Sequence, residues 1–194
     1  MMKSVLIAIR PKWVEKICHK IGEDEAGKAI YEKCIEVRKS APQEVPFKCY
    51  MYETKGQYVK FTHGAHTKYG YGRGKVIGEF ICDKVYSIKN RGSSFSVADE
   101  EQSVTNEIAR QSCLYYDDMV SYFGNKDGFG WHISDLKIYD KPKELSEFCI
   151  PCKVSCENCK NPLYFECWCE EKGKKIVTRP PQSWCYVEDL GEEK

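Results

Sequence analysis

Six cysteines fall within twenty-one residues, in the order Cys149-x2-Cys152-x3-Cys156-x2-Cys159-x7-Cys167-x-Cys169. Two thiolates separated by a tight turn can reach one tetrahedral ion, and zinc at ~2.3 Å from four sulfurs needs no other scaffold. The spacing predicts zinc held by Cys156 and Cys159, completed from Cys152 with Cys167 or Cys169. The plain alternative is a set of unligated thiols packed as small hydrophobes. Residues 149–178 carry few aliphatic side chains, only Ile150, Val154, Leu163, Ile176 and Val177. Such a segment can hardly fold about its own apolar core, so a metal is expected to organise it.

A second constellation is Lys33, Glu36 and Arg38. Alternate residues of a strand face the same way, so Glu36 and Arg38 project together, on what is expected to be an exposed polar face. Two cations with a carboxylate can bind phosphate and hold a water or a base edge. The same pattern is also that of a structural ion pair. A third feature is the stretch from Lys55 to Lys75, which interleaves Lys60, Lys68 and Arg73 with Tyr58, Phe61, Tyr69 and Tyr71, among five glycines and without an acidic residue. It reads as a mobile nucleic-acid loop, whose cations attract phosphate and whose rings stack on bases. A long glycine-rich hairpin with solvated charges is the alternative.

The elements that must position these residues are legible from periodicity. Ser4 to Ile9 is a strand, and Pro11 opens a helix with Trp13, Val14, Ile17, Cys18 and Ile21 at helical spacing. Residues 23–32 either extend that helix or form a solvated loop, the loop being favoured. Strands follow at 34–38, 47–52 and around Val76 to Ile81, where Gly78 marks a bulge or a close backbone approach. Ser96 is a plausible N-cap for a helix to about Ser112. Asp117 to Phe123 is a short helix ended by Gly124, Trp131 to Tyr139 a strand stopped by Pro142, and Trp184 to Val187 a last strand.

The balance of 42% hydrophobic and 30% charged residues is that of a globular chain and not of a disordered one, and the net charge of +1 excludes nothing about partners. The apolar run Val5 to Ile9 is too short for a signal segment or a membrane span. A cytoplasmic location is therefore expected, with thiols and metal sites favoured over disulfides among the 12 cysteines.

The opening Ser4-Val5-Leu6-Ile7-Ala8-Ile9-Arg10-Pro11-Lys12, followed by a helix and then Lys33-Cys34-Ile35-Glu36-Val37-Arg38, resembles the ASCH family. The family signature is a Gly-x-Lys-x-x-Glu-x-Arg run after the first helix. Lys33, Glu36 and Arg38 match it; the glycine position holds Tyr31, and the segment 22–32 is longer than the usual tight turn. Val76-Ile77-Gly78-Glu79-Phe80, Trp131 to Lys137 with Leu145 to Phe148, and Arg179 to Trp184 follow in the family's order.

The resemblance implies an α+β fold, a small PUA-like mixed β-barrel flanked by helices. Residues 1–148 would form the barrel, 149–178 a cysteine-rich zinc-binding insertion, and 179–194 the return strand and acidic tail. It further implies RNA or nucleotide binding in a cleft lined by Lys33 and Arg38, to which the composition of the basic stretch adds Lys60, Lys68, Arg73, Tyr69 and Tyr71 as expected contacts. Some relatives are acetylcytidine amidohydrolases or ribonucleases. In those enzymes the motif lysine helps to activate a nucleophile and a carboxylate transfers a proton, roles that carry over to Lys33, Glu36 and, as the additional carboxylate, Glu79. A third reading is a protein-interaction module that docks a partner through the zinc-binding insertion.

Overall fold

A computed structural model of the chain describes residues 4–63, 66–151 and 176–191, the side chains of 61–66 excepted. Strand β1 (Ser4–Ile9) is buried on both faces, as its unbroken apolar run requires. It lies between β5 (Phe47–Glu53), to which it is parallel, and β13 (Trp184–Val187), to which it is antiparallel. With β8 (Lys75–Cys82) and β12 (Ser134–Lys143) these make a five-stranded sheet in the order β12-β8-β5-β1-β13. One face of β1, with Val5, Ile7 and Ile9, packs on Val14 and Ile17 of helix α1 (Pro11–Cys18). Its other face sends Leu6 and Ala8 toward Phe148, Val177 and Val187.

A four-stranded sheet in the order β10-β9-β11-β4 stands beside the first. It comprises β4 (Ile35–Arg38), β9 (Val85–Asn90), β10 (Phe95–Val97) and β11 (Gly128–His132). Helices α2 (Gln102–Ser112) and α3 (Tyr116–Phe123) cover it through Ile108, Met119 and Phe123, which meet Ile35, Val37 and Ile88. Trp131 joins the two layers, edge-on to Phe47 at 5.1 Å between ring centroids.

Among the described residues the sheets stay open, so the expected barrel is corrected to a five-stranded and a four-stranded open sheet with two separate hairpins. At the seam, strand β13 pairs with β1 from Ser4 to Ile7, the Ala8 amide donates to the Ser183 carbonyl at 2.9 Å, and the Ala8 carbonyl accepts from the Arg38 guanidinium at 2.9 Å.

Several sequence expectations change in the same way. The segment 23–32 is neither helix nor plain loop: β2 (Lys20–Glu23) and β3 (Ala29–Tyr31) pair as a hairpin. Its turn is held by the Asp24 carboxylate, which accepts from the Ala26 and Lys28 amides at 2.9 and 2.8 Å. Ser96 is not an N-cap; it lies in β10 opposite Lys89, and its hydroxyl accepts from Arg91 Nε. The run 131–139 divides between two sheets at Ile133, and β12 continues past Pro142 because an edge strand tolerates a residue without an amide hydrogen. Gly78 is a close approach as expected: a Cβ there would lie 2.4 Å from the Lys137 carbonyl oxygen.

In the stretch 55–75 the described residues take the alternative form, a glycine-rich hairpin. Strands β6 (Gly56–His63) and β7 (His66–Gly72) form an antiparallel hairpin. Gly72 serves close packing, since a Cβ there would fall 1.9 Å from the Thr54 carbonyl oxygen.

Candidate functional site

Lys33, Glu36 and Arg38 come together, but not on an exposed face. Their relative exposures are 2%, 5% and 7%, which corrects the expectation drawn from strand alternation. The Lys33 ammonium donates to the carbonyls of Ile35 and Ser112, both at 2.6 Å. It also stands 3.4 Å from Glu36 Oε2, an ion-pair distance without hydrogen-bond alignment. Arg38 meets Glu36 Oε1 at 2.8 Å. Burial pushes the Lys33 proton affinity below that of an ordinary lysine, and Glu36 opposes the shift only in part.

This triad lines a cavity of about 450 Å³ with Arg10, Lys12, Trp13 and Asp118. Two of its polar atoms, Glu36 Oε2 and Arg38 Nε, are buried without a hydrogen-bond partner. A wider groove of about 1360 Å³ adjoins the cavity between α1, the β6–β7 hairpin and the α2–α3 junction. Lys12, Trp13, Leu114 and Asp118 belong to both walls, so the two spaces lie side by side.

The remaining candidates are dispersed. Lys60 lines the groove with Tyr58 and is ion-paired to Glu15 at 2.8 Å. Lys68, Tyr69, Tyr71 and Arg73 line neither space; Arg73 leans on Glu53 at 3.7 Å, and Tyr71 is 71% exposed. Glu79 is not brought to Lys33. It accepts from the Tyr139 hydroxyl at 2.5 Å and faces Lys48 at 3.8 Å, in a cluster that also holds Asp189. Cys152, Cys156, Cys159, Cys167 and Cys169 lie outside the described residues. The two described ends of that segment meet, as Cys149 and Ile176 form an antiparallel bridge and the Val177 amide donates to Phe148 at 2.8 Å.

Sequence reasoning passed over Trp13, Lys12 and Asp118. Trp13 was legible only as a helix-face apolar residue, yet Lys33 Nζ stands 5.3 Å from its ring centroid. Nothing local could distinguish a ring that lines a cavity from one that fills the core.

No family model and no curated protein matches the chain. Among solved structures it is similar to the crystal structure of ASCH from Zymomonas mobilis, at 14% identity and a TM-score of 0.49, over 96% of this chain and 88% of that one. Two single-substitution mutants of that protein align with the same identity and TM-score, over 89% and 91% of their chains. No helix among the described residues is long and apolar enough to cross a membrane.

Proposed function

We propose that this protein binds RNA or a nucleotide, with a base in the cavity beside Lys33, Glu36 and Arg38 and neighbouring nucleotides along the adjoining groove. The observation that carries this reading is a more than nine-tenths buried charge cluster, Lys33, Glu36 and Arg38, that lines a cavity together with Arg10, Lys12 and Trp13. A carboxylate and a guanidinium in one cavity wall offer an acceptor and donors of the kind that read the edge of a nucleobase. The volume suits one small group, since ligand pockets run to ~300–1,000 Å³.

The groove supports the same reading. Trp13, Tyr58, Tyr115 and Tyr116 are among its walls, and base stacking on such rings contributes ~1–3 kcal/mol per base. The hydrolase reading loses its candidate for the additional carboxylate, since Glu79 is engaged with Tyr139 and Lys48 away from Lys33, while Glu36 stays beside the lysine. The test is titration of short single-stranded RNA by fluorescence anisotropy over a range of salt. We expect log K to fall linearly with log salt as counterions are released. No binding at low salt removes the reading, and turnover of acetylcytidine would put the hydrolase in its place.

A further inference from the structure

We propose that the first turn of α1 is a phosphate site, with Arg10 and Lys12 as its cations and Arg38 as the third, so that the cavity takes a phosphorylated nucleotide and not a free nucleoside. This rests on reading the cavity as a nucleotide site and names the part of the ligand that the base-binding atoms leave unaddressed.

The first turn of this helix carries no negative charge of its own. It has no side-chain cap and no acidic residue in its first turn, and Pro11 contributes no amide hydrogen. The Trp13 and Val14 amides both turn back to the Arg10 carbonyl, at 2.9 and 3.1 Å, which leaves the Lys12 amide as the one free donor of the turn. The helix dipole places partial positive charge at this end, where phosphate is favoured. Arg10 and Lys12 are exposed and have no carboxylate partner among the described residues; Lys12 Nζ rests 4.2 Å from the Trp13 ring centroid.

Arg38 supplies the independent observation. Its side chain is buried, its Nε has no partner, and it lines the same cavity as Arg10 and Lys12. One guanidinium nitrogen is committed to the Ala8 carbonyl, two residues before Arg10, so the group stands at the approach to the helix. In all, Arg10, Lys12, Lys33 and Arg38 face only two carboxylates across the cavity, those of Glu36 and Asp118. A concave site with that excess of cations focuses a field that attracts anions.

The shared chemistry is a phosphoryl group, and calorimetry distinguishes its sources. Inorganic phosphate, the four ribonucleosides and their 5′- and 3′-monophosphates are titrated into the full chain and into Arg10→Gln/Lys12→Gln. Both substituted side chains are exposed, so melting temperature should hold. We expect a monophosphate to bind at least about tenfold more tightly than its nucleoside, the equivalent of one charge-assisted hydrogen bond, and this advantage to vanish in the double variant. Tighter binding by inorganic phosphate than by any monophosphate would overturn the nucleotide assignment. Equal affinity for nucleoside and monophosphate, or an advantage that survives the double variant, overturns the phosphate site while RNA binding still stands. Failure of RNA, nucleosides and monophosphates alike overturns both readings.

Discussion

The Lys33 ammonium donates to the carbonyl of Ser112 at 2.6 Å, and so ties the residue two places before β4 to the last residue of α2. This bond, with its twin to Ile35, makes Lys33 a fastener of the second sheet as well as part of the cavity wall. Replacing it strands two carbonyls and leaves Glu36 with one cation fewer.

Lys33→Met should therefore destabilise the protein by about 3–5 kcal/mol, the usual cost of removing one partner from a buried charge cluster. For a chain of this size that lowers Tm by roughly 10 °C. Denaturant unfolding measures it, and a loss under ~1 kcal/mol would show that the two carbonyls find other donors.

The hairpin makes a sharper prediction than its composition did. Lys60 lines the groove and Lys68 does not. Lys60→Gln should flatten the log–log salt dependence of RNA binding by about one unit, and Lys68→Gln should leave it unchanged. Equal effects from both would place the RNA on the outer face of the hairpin.

Acid should loosen the C-terminal strand. Burial pushes the Asp189 carboxyl up, but bonds from the Tyr50 hydroxyl, the Gly191 amide and the Lys48 ammonium outweigh it and hold the group below its ordinary value of 3.8. A depressed carboxylate contributes stability that is fully present above that value and is lost as pH falls through the folded-state pKa. Below it, hydrogen exchange at the Leu190 amide, which donates to Tyr50 at 3.0 Å, should accelerate relative to β1. In Asp189→Asn that acid-dependent step should disappear; its persistence would assign the latch to another group.

The cysteine-rich segment is expected to hold about one zinc per chain, a site of a kind that supplies on the order of 10 kcal/mol to folding in small peptides. Its ends are pinned where Cys149 bridges Ile176. Cys156→Ser with Cys159→Ser should abolish zinc in elemental analysis and leave the unfolding of the main sheet in place. Protein purified under reducing conditions with no metal and all thiols open to alkylation would refute the site.

What the sequence determined is local. The unbroken apolar run of β1 and the alternations of β4 and β5 are written in neighbouring residues, as is the stop of α3 at Gly124, whose φ of 61° suits glycine. The Lys-x-x-Glu-x-Arg spacing likewise announced a charge cluster. Whether that cluster faces water was not local at all. The partners that bury it are the Ser112 carbonyl, 79 positions from Lys33, and the Ala8 carbonyl, 30 positions from Arg38. Alternation tells which side chains share a face, while only the packing of α2 and β1 against that face decides its dielectric. For the same reason tertiary structure alone set Glu79 apart from Lys33 and joined Lys12 and Trp13 to the cavity, because residues from distant elements meet only once both sheets have formed.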